Sequence, residues 1–300
     1  MDILLRDAVV TATTPSPSVI RLADHLGVQV DGLDLHAGVT AEVVDLLGGL
    51  VAEHLVVVLR DQFLDADEHA ALAQAFGPIQ PSPLQLATGA VDAGGSVTTI
   101  EDNAARPPAG FPWHSDLSWL REPPALGFLS AVVIPPSGGD TIWTSNRALL
   151  DALTPEHRQS CERSTVWHEP DASLLASLER HHGAAVAERL RREHPGAEHP
   201  LVGRHRSSGR RHLFLSPLSA TRIVGPAGAD GALLGELHAL LDDPAFQLRW
   251  RWRAGDLVIW DEASTCHRAL TDHHPQRRVM RRCTTAGPGR GATVAAVASR

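Results

Sequence analysis

The chain has 300 residues, of which 43% are hydrophobic and 21% charged, a composition typical of a soluble globular protein with a substantial core. Its formal net charge of −8 argues against a nucleic-acid-binding surface, and no apolar run approaches the roughly 20 residues that span a membrane. Because three scattered cysteines make no disulfide framework and the N-terminus lacks a signal-peptide pattern, we predict a soluble, cytoplasmic protein.

The first part of the chain predicts short strands alternating with helices. Apolar and polar residues alternate over Leu26–Leu35, as in a half-buried strand. Two amphipathic helices are predicted over Thr40–His54 and Asp65–Phe76, each starting at a residue that can cap it. Val56–Leu59 between them is a short buried strand.

The middle of the chain contains two unusual stretches. Residues 80–112 are rich in Pro, Gly and Ala around one predicted strand, Ser96–Ile100, which is typical of an active-site loop or lid. Leu126–Ile134 and Asp140–Thr144 are predicted to form a pair of strands joined by a turn. Residues 146–200 are mainly helical and are predicted to be an insert rather than a part of the β core.

The last third carries the most regular β pattern. A strand at Leu213–Leu215 and a helix at Gly231–Leu241 precede three further predicted strands, Gln247–Arg253, Leu257–Trp260 and Val279–Thr285. We predict one domain over residues 1–300, with an ordered core over about 18–287 and a loose tail after it. Its fold class is mainly β with helical additions (α+β), around a jelly-roll, or double-stranded β-helix, core.

A candidate metal site begins at His114-Ser115-Asp116. At a strand edge, side chains two residues apart share a face, so this imidazole and carboxylate would lie side by side. The triplet alone is weak, because a chain with 17 histidines is expected to contain such a His-x-acid triplet by chance more than once. The third ligand must come from a distant strand folded beside this one, and His267, which follows the strand Leu257–Trp260 and a tight Asp-Glu-Ala-Ser turn, is the candidate. The alternative for His267 is an ordinary hydrogen-bonded loop histidine. Two imidazoles and one carboxylate are the ligand set of non-haem Fe(II) oxygenases, which leaves other coordination positions open.

A candidate anion site follows eleven residues later. Arg278 lies at the start of the last predicted core strand, and its guanidinium can form two parallel hydrogen bonds with a carboxylate. The alternative for this residue is an ordinary surface arginine. A metal face beside a buried arginine is the arrangement that a 2-oxoglutarate site requires.

The chain resembles the taurine dioxygenase/TfdA-like family of Fe(II)/2-oxoglutarate-dependent dioxygenases. The matching blocks follow one another in order along most of the chain: Gly27–Leu35, Val56–Gln62, Trp113–Asp116, Gly138–Thr141, Trp250–Trp252, Gly255–Asp261, Cys266–His267 and Pro275–Arg278.

The resemblance implies Fe(II) as cofactor and 2-oxoglutarate and O2 as cosubstrates. It implies that His114, Asp116 and His267 are the catalytic metal ligands, and that Thr141 and Arg278 bind the C5 carboxylate of 2-oxoglutarate. Arg282 falls where the family has an arginine near the cosubstrate and, in some members, near an anionic substrate group. Because Asp116 keeps the carboxylate that halogenating relatives lose, the resemblance favours oxygenation. Family members commonly form dimers or tetramers, which leaves a homo-oligomer open.

The sequence departs from the family where taurine would bind. Members that act on small sulfonates carry His and Tyr after the Phe-Gly that ends the second helix, whereas Phe76-Gly77 is followed here by Pro-Ile-Gln-Pro, and the chain contains no Tyr. We predict a small-molecule substrate, a secondary metabolite or hydrophobic acid, with an unactivated C–H that is hydroxylated, desaturated or epoxidised while succinate and CO2 are released. The predicted substrate-binding residues are Gln80, Ser82, Asn103, Trp113 and Arg282.

Three alternatives remain open on the sequence alone. An alkyl-sulfate- or sulfonate-cleaving dioxygenase of the same family would share every motif above. A non-catalytic, cupin-like metal-binding protein would share the β core and the metal but would not need Thr141 and Arg278. A zinc hydrolase would use the same ligands with a general base beside the metal-bound water, and the nearest acid in sequence, Glu262, lies in a turn.

Overall fold

The computed structural model describes residues 17–89, 97–205, 207–228 and 232–286. The strands in these ranges are β1 (Ser18–Arg21), β2 (Val28–Asp31), β3 (Val56–Leu59), β4 (Thr98–Asp102), β5 (Leu126–Val133), β6 (Thr141–Ser145), β7 (Thr165–His168), β8 (Ala197–Pro200), β9 (Val202–Arg204), β10 (Arg211–Leu213), β11 (Ala220–Val224), β12 (Gln247–Trp250), β13 (Leu257–Asp261), β14 (Thr265–Ala269) and β15 (Arg278–Thr285). The α-helices are α1 (Ala41–His54), α2 (Ala66–Phe76), α3 (Pro83–Thr88), α4 (Asn146–Ala152), α5 (Pro155–Glu162), α6 (Ala172–His182), α7 (Ala184–Glu193) and α8 (Leu233–Leu240).

Two sheets form the centre of the molecule. The larger has seven strands in the order β1-β2-β3-β13-β5-β15-β4, and the smaller has three in the order β12-β6-β14. Apolar side chains from both sheets share one buried cluster, in which Trp143 of β6 meets Trp260 of β13 edge to face. The two sheets therefore pack against each other, and the prediction of a mainly β protein with helical additions is confirmed.

The helices before the core strands begin at the predicted caps. The Thr40 hydroxyl accepts a hydrogen bond from an N–H in the first turn of α1, and Asp65 forms a capping box with Glu68 at the start of α2. Each cap satisfies backbone N–H groups that have no partner within the helix. Leu47 of α1 and Leu72 of α2 are fully buried in the cluster that covers one face of the larger sheet.

The stretch 80–112 is more regular than predicted. Pro83 begins α3, where Ser82 and Gln85 form a capping box, a signal that the Pro-rich composition obscured. The strand predicted at Ser96–Ile100 lies instead at Thr98–Asp102, as β4 at the edge of the larger sheet. A role for this stretch as a lid stays a prediction.

Two other predicted strands have different bounds. The strand predicted over Leu26–Leu35 ends at Asp31, because the Asp34 side chain accepts the His36 N–H and starts a short 3-10 helix. The strand predicted at Leu213–Leu215 lies earlier, as β10, which pairs with β9. Both errors come from apolar runs that continue past the point where the backbone leaves the sheet.

The predicted insert over 146–200 contains α4 to α7, as expected, and also two strands that were missed. β7 and β8 join β11 in a three-stranded sheet. Each has only four residues, too few for alternation to stand out from the surrounding helical pattern. The single-domain organisation stays a prediction.

None of the helices in the described ranges is long and apolar enough to cross a membrane. The loose tail predicted from residue 287 and most of the lead-in before residue 18 lie outside the described residues.

Gly127, near the start of β5, is the glycine whose replacement we expect to be most costly. A Cβ there would lie 2.2 Å from the Trp260 ring and 2.6 Å from a Glu262 carboxyl oxygen, both in the buried interior. Gly127→Ala is expected to lower the free energy of unfolding by about 1–3 kcal/mol, the usual cost of overpacking. Gly49→Ala, on an exposed turn of α1 with nothing within 4 Å of the added methyl, is the control and is expected to add about 0.5–1 kcal/mol. Urea unfolding of both variants checks the pair, and equal effects would contradict the packing.

Candidate active site

His114, Asp116 and His267 come together at one point in the structure. His114 and His267 form an isolated antiparallel bridge, with N–H to O=C distances of 3.0 and 2.8 Å. Asp116 Oδ1 lies 3.7 Å from His114 Nε2 and 4.0 Å from His267 Nε2. One ligand atom from each residue lies within 4.8 Å of the others, which is close enough for all three to bind one metal ion.

The local backbone differs from the prediction in two ways. His267 lies within β14, a strand that was not among the predicted elements, and its register places it opposite Trp143 of β6. Asp116 does not continue an extended strand edge from His114, because the chain turns immediately after the bridge and Leu117 adopts a φ of 48°. The imidazole and the carboxylate meet through this turn and not through strand alternation.

The three side chains have the protonation states that binding of Fe(II) requires. Burial lowers the pKa of His114 and lowers that of His267 to about 3, so both imidazoles are neutral. Burial alone would raise the pKa of Asp116, but the positive charge of Arg282 outweighs it and holds this pKa below its usual range. Metal ligands must be neutral imidazole and ionised carboxylate, and these are the forms present at neutral pH.

Two contacts orient the ligands. His114 Nδ1 lies 2.8 Å from the Pro112 carbonyl oxygen, so Nδ1–H donates there and the lone pair of Nε2 faces Asp116. The second carboxylate oxygen of Asp116 forms an ion pair with the Arg282 guanidinium. Asp116 therefore presents Oδ1 to the histidines and Oδ2 to the arginine.

A buried cationic group lies in the same cavity. Arg278 is 4% exposed, and its Nε and Nη2 have no hydrogen-bond partner among the described residues. A buried charged donor without a partner is costly, which indicates a site built for an anion. Thr141 lines the same cavity, and its hydroxyl oxygen already accepts a hydrogen bond of 3.0 Å from Trp252 Nε1, which leaves its O–H free to donate.

The surroundings of Arg278 explain two further sequence features. Asp102, opposite it on β4, lies 3.9 Å from Nη1 and partly balances its charge. His273 Nε2 lies 3.3 Å from the same carboxylate. Gly139 has a φ of 74°, and a Cβ there would lie 2.9 Å from the Arg278 side chain, so this turn needs glycine.

The cavity that joins these groups has a volume of about 340 Å³. At its polar end are the metal ligands, Arg282, Thr141 and Arg278. The rest of its wall is mostly apolar and includes Ile100, Phe111, Leu117, Trp119, Leu129, Leu174, Leu218, Trp260 and Leu270.

The family description "Taurine catabolism dioxygenase TauD, TfdA family" matches residues 18–284. The chain belongs to this family. It is 33% identical over 273 residues to the alpha-ketoglutarate-dependent 2,4-dichlorophenoxyacetate dioxygenase of Cupriavidus pinatubonensis, covering 85% of this chain and 93% of that one. It is 29% identical over 273 residues to an alkylsulfatase of Acinetobacter baylyi, covering 89% of this chain and 84% of that one. The crystal structure of a taurine dioxygenase from Burkholderia xenovorans matches it with a TM-score of 0.74 at 28% identity, over 95% of this chain and 97% of that one.

As a member of the TauD, TfdA family, the protein is an α-ketoglutarate-dependent dioxygenase that uses Fe(II), 2-oxoglutarate and O2. The predicted family, enzyme class and cofactors are confirmed. The two alternatives from other classes, a non-catalytic cupin-like protein and a zinc hydrolase, are wrong, because the chain belongs to a family of dioxygenases.

Four of the predicted substrate residues in this TauD, TfdA family member are not in the wall of the cavity. Ser82 caps α3, and the Asn103 side chain accepts hydrogen bonds from backbone N–H groups at 2.9 and 3.0 Å within its own turn. The backbone N–H of Gln80 donates to the Thr284 carbonyl oxygen. Trp113 packs in a core cluster, and its indole N–H donates to Asp242. Only Arg282 of the predicted substrate set faces the cavity.

The apolar wall was largely missed, because much of it comes from distant segments. Leu174 lies in α6 of the insert, and Leu218 lies in the turn before β11. Nothing in their sequence surroundings distinguishes them from ordinary core leucines. Trp119 and Trp260 were the residues that carried a signal, as large aromatics close in sequence to the metal ligands.

Proposed function

We propose that His114, Asp116 and His267 hold the iron, and that Arg278 and Thr141 bind the C5 carboxylate of 2-oxoglutarate. The observation that carries this assignment is the unpartnered, buried guanidinium of Arg278 in the cavity that also contains the three metal ligands. When bound, Fe(II) and 2-oxoglutarate supply O2 activation and removal of a substrate hydrogen, with succinate and CO2 as products. We also propose that the two packed sheets form the double-stranded β-helix core typical of the family.

The side chains around the metal have separate tasks in this proposal. Arg278 and the Thr141 hydroxyl anchor the far end of the cosubstrate and so fix the position of its 2-oxo acid group. Trp260 and Leu129 exclude water from the reacting centre. Asp102 keeps Arg278 partly neutralised until the cosubstrate carboxylate arrives.

The substrate is a hydrophobic molecule with one anionic group, preferably a carboxylate. The apolar wall suits a bulky hydrocarbon or aromatic body, and Arg282 is the cation placed to receive the anion. The relative that acts on 2,4-dichlorophenoxyacetate supports this class, since that compound is an aromatic acid. Taurine fits poorly, because its ammonium group would face a wall that is mostly apolar.

The experiment has two arms. Enzyme free of metal is loaded anaerobically with Fe(II) and then with 2-oxoglutarate, and the visible charge-transfer band of the chelate is expected to appear. Substrate-triggered O2 uptake is then measured with hydrophobic carboxylic acids, with the amides of the same skeletons as neutral controls, and with taurine. Acids are expected to trigger uptake more strongly than amides or taurine. No band would contradict the cofactor assignment, and a preference for taurine or the amides would contradict the substrate class.

Cleavage of alkyl sulfates is the second candidate, favoured by the similarity to the alkylsulfatase of Acinetobacter baylyi. A sulfate monoester would place its anion at Arg282 and its alkyl chain along the same wall. Adding alkyl sulfates of matched chain length to the O2-uptake panel separates the two candidates.

A further inference from the structure

Glu262 has a fully buried carboxyl group that none of the roles above uses. It lies in the turn between β13 and β14, the strand that carries His267. Its Oε2 accepts a hydrogen bond of 3.0 Å from the Asp116 backbone N–H. Its backbone oxygen accepts one of 2.6 Å from the Ser115 hydroxyl.

These contacts join two segments that are far apart in sequence. Ser115 and Asp116 belong to the turn that follows the His114 bridge, so no sheet ladder fixes the backbone at Asp116. The Glu262 carboxyl takes the place of a ladder partner for that N–H. On its other side, the Glu262 backbone N–H donates to the Ala125 carbonyl oxygen at 3.1 Å, which anchors the turn to the start of β5.

Burying a carboxyl group costs free energy unless hydrogen bonds replace those it made with water. An apolar side chain of similar volume would avoid that cost but would leave the Asp116 N–H without its acceptor. The Glu262 contact holds the backbone of Asp116, while Arg282 holds its outer oxygen. Asp116 is therefore held at its backbone N–H and at its Oδ2 atom, with Oδ1 facing the two imidazoles.

We infer that Glu262 is a positioning residue of the metal centre, which fixes Asp116 in the orientation that binds iron. The inference rests on the proposed assignment of His114, Asp116 and His267 as the iron ligands. Outer hydrogen-bond partners of metal ligands typically contribute 10- to 100-fold to metal affinity.

The test compares Glu262→Gln with Glu262→Leu. Gln keeps an oxygen that can accept the Asp116 N–H, whereas Leu has a similar size but no acceptor. Fe(II) affinity is measured by anaerobic titration of the metal-free protein, and the charge-transfer band with 2-oxoglutarate is recorded for each variant. We expect Fe(II) to bind about 10- to 100-fold more weakly to the Leu variant, with a shifted or weakened band, and Gln to restore both to near wild type.

The control is Asp256→Asn, another buried carboxyl, which pairs with Arg60 at the opposite end of β13 from Glu262. It is expected to lower the unfolding temperature without changing Fe(II) affinity. If the Leu variant does not fold, Glu262→Ala removes the same acceptor without a branched side chain.

Three outcomes would overturn the inference. Wild-type affinity in the Leu or Ala variant would show that the carboxyl does not position the ligand. A loss of Fe(II) affinity in Glu262→Gln as large as that in Glu262→Leu would show that the lost hydrogen bond to Asp116 does not cause the weaker binding. Failure of the wild-type protein to bind Fe(II) would contradict the proposed function itself, and this inference with it.

Discussion

Arg278→Ala is expected to weaken binding of 2-oxoglutarate to the Fe(II) enzyme by on the order of a hundredfold to a thousandfold. Removing one partner of a buried, hydrogen-bonded charge pair costs roughly 2–5 kcal/mol, and each 1.4 kcal/mol is about tenfold in affinity. The guanidinium is buried, and two of its nitrogens have no partner within the described ranges, so a carboxylate in the cavity would satisfy both.

The adjacent residue gives a matched control. Arg277 is exposed and pairs with Glu101 on the outer face of the sheet, 2.9 Å away. Arg277→Ala changes the net charge of the protein equally but leaves the cavity intact, so we expect wild-type affinity. The 2-oxoglutarate affinity of Arg278→Lys should lie between those of wild type and Arg278→Ala, because an ammonium group keeps the charge but loses the two parallel hydrogen bonds.

A change of ligand separates anion binding from a general disturbance of the site. 2-Oxobutyrate keeps the 2-oxo acid group but lacks the distal carboxylate. We expect its affinity, followed by the same anaerobic charge-transfer titration, to be nearly equal in wild type and Arg278→Ala. An equal loss for both oxo acids, or an equal effect of the Arg277 and Arg278 variants, would contradict the assignment of the C5 carboxylate to Arg278.

Features encoded in short windows could be predicted from the sequence. The caps at Thr40 and Asp65 lie next to the helices that they start, so local hydrogen bonding fixes both the residue type and its place. The order of the family blocks likewise predicted the metal triad, which the structure brings within ligand distance.

Features that depend on long-range packing could not be predicted. The strand that carries His267 was not predicted, because Asp-Glu-Ala-Ser before it has turn composition and only the pairing with β6 makes a strand of the segment. The apolar wall combines Leu174 and Leu218 from the insert with residues of the core strands, and no spacing rule connects them. Glu262 was correctly placed in a turn, but its contact with Asp116 bridges 146 positions in sequence.

Acidification is expected to unfold the protein over a narrow range below pH 6. His69, His199 and His212 are at most 2% exposed, and burial lowers the pKa of each to about 4. Burial likewise lowers the pKa of His168 well below its usual value. His69, His199 and His212 lie on three separate elements, so their effects on stability should nearly add. His168 packs against His199, with ring centroids 5.5 Å apart, so its effect is coupled to that of His199 and is left out of the sum.

The sign follows from which state takes up protons. In the unfolded chain a histidine has a pKa of about 6.5, so between pH 6.5 and 4 the unfolded state is protonated while these buried histidines are not. The contribution of these neutral, buried histidines to the free energy of unfolding is fully present above pH 6.5 and is lost as the pH falls towards 4. For three such groups the slope is about 4 kcal/mol per pH unit, or on the order of 6 kcal/mol lost by pH 5. That loss is comparable to the whole stability of a typical domain, about 5–15 kcal/mol.

Urea unfolding at a series of pH values from 8 to 5 measures this slope directly. His69→Gln is the informative variant, because Gln can keep the hydrogen bond that His69 Nδ1 makes with the Ser130 hydroxyl at 2.9 Å but cannot titrate. We expect it to reduce the slope by about one proton, or roughly 1.4 kcal/mol per pH unit. His157→Gln, on the exposed surface of α5, is the control for the loss of a histidine outside the core. A wild-type slope below one proton, or equal slopes for wild type and His69→Gln, would show that the buried histidines do not set the acid limit of the fold.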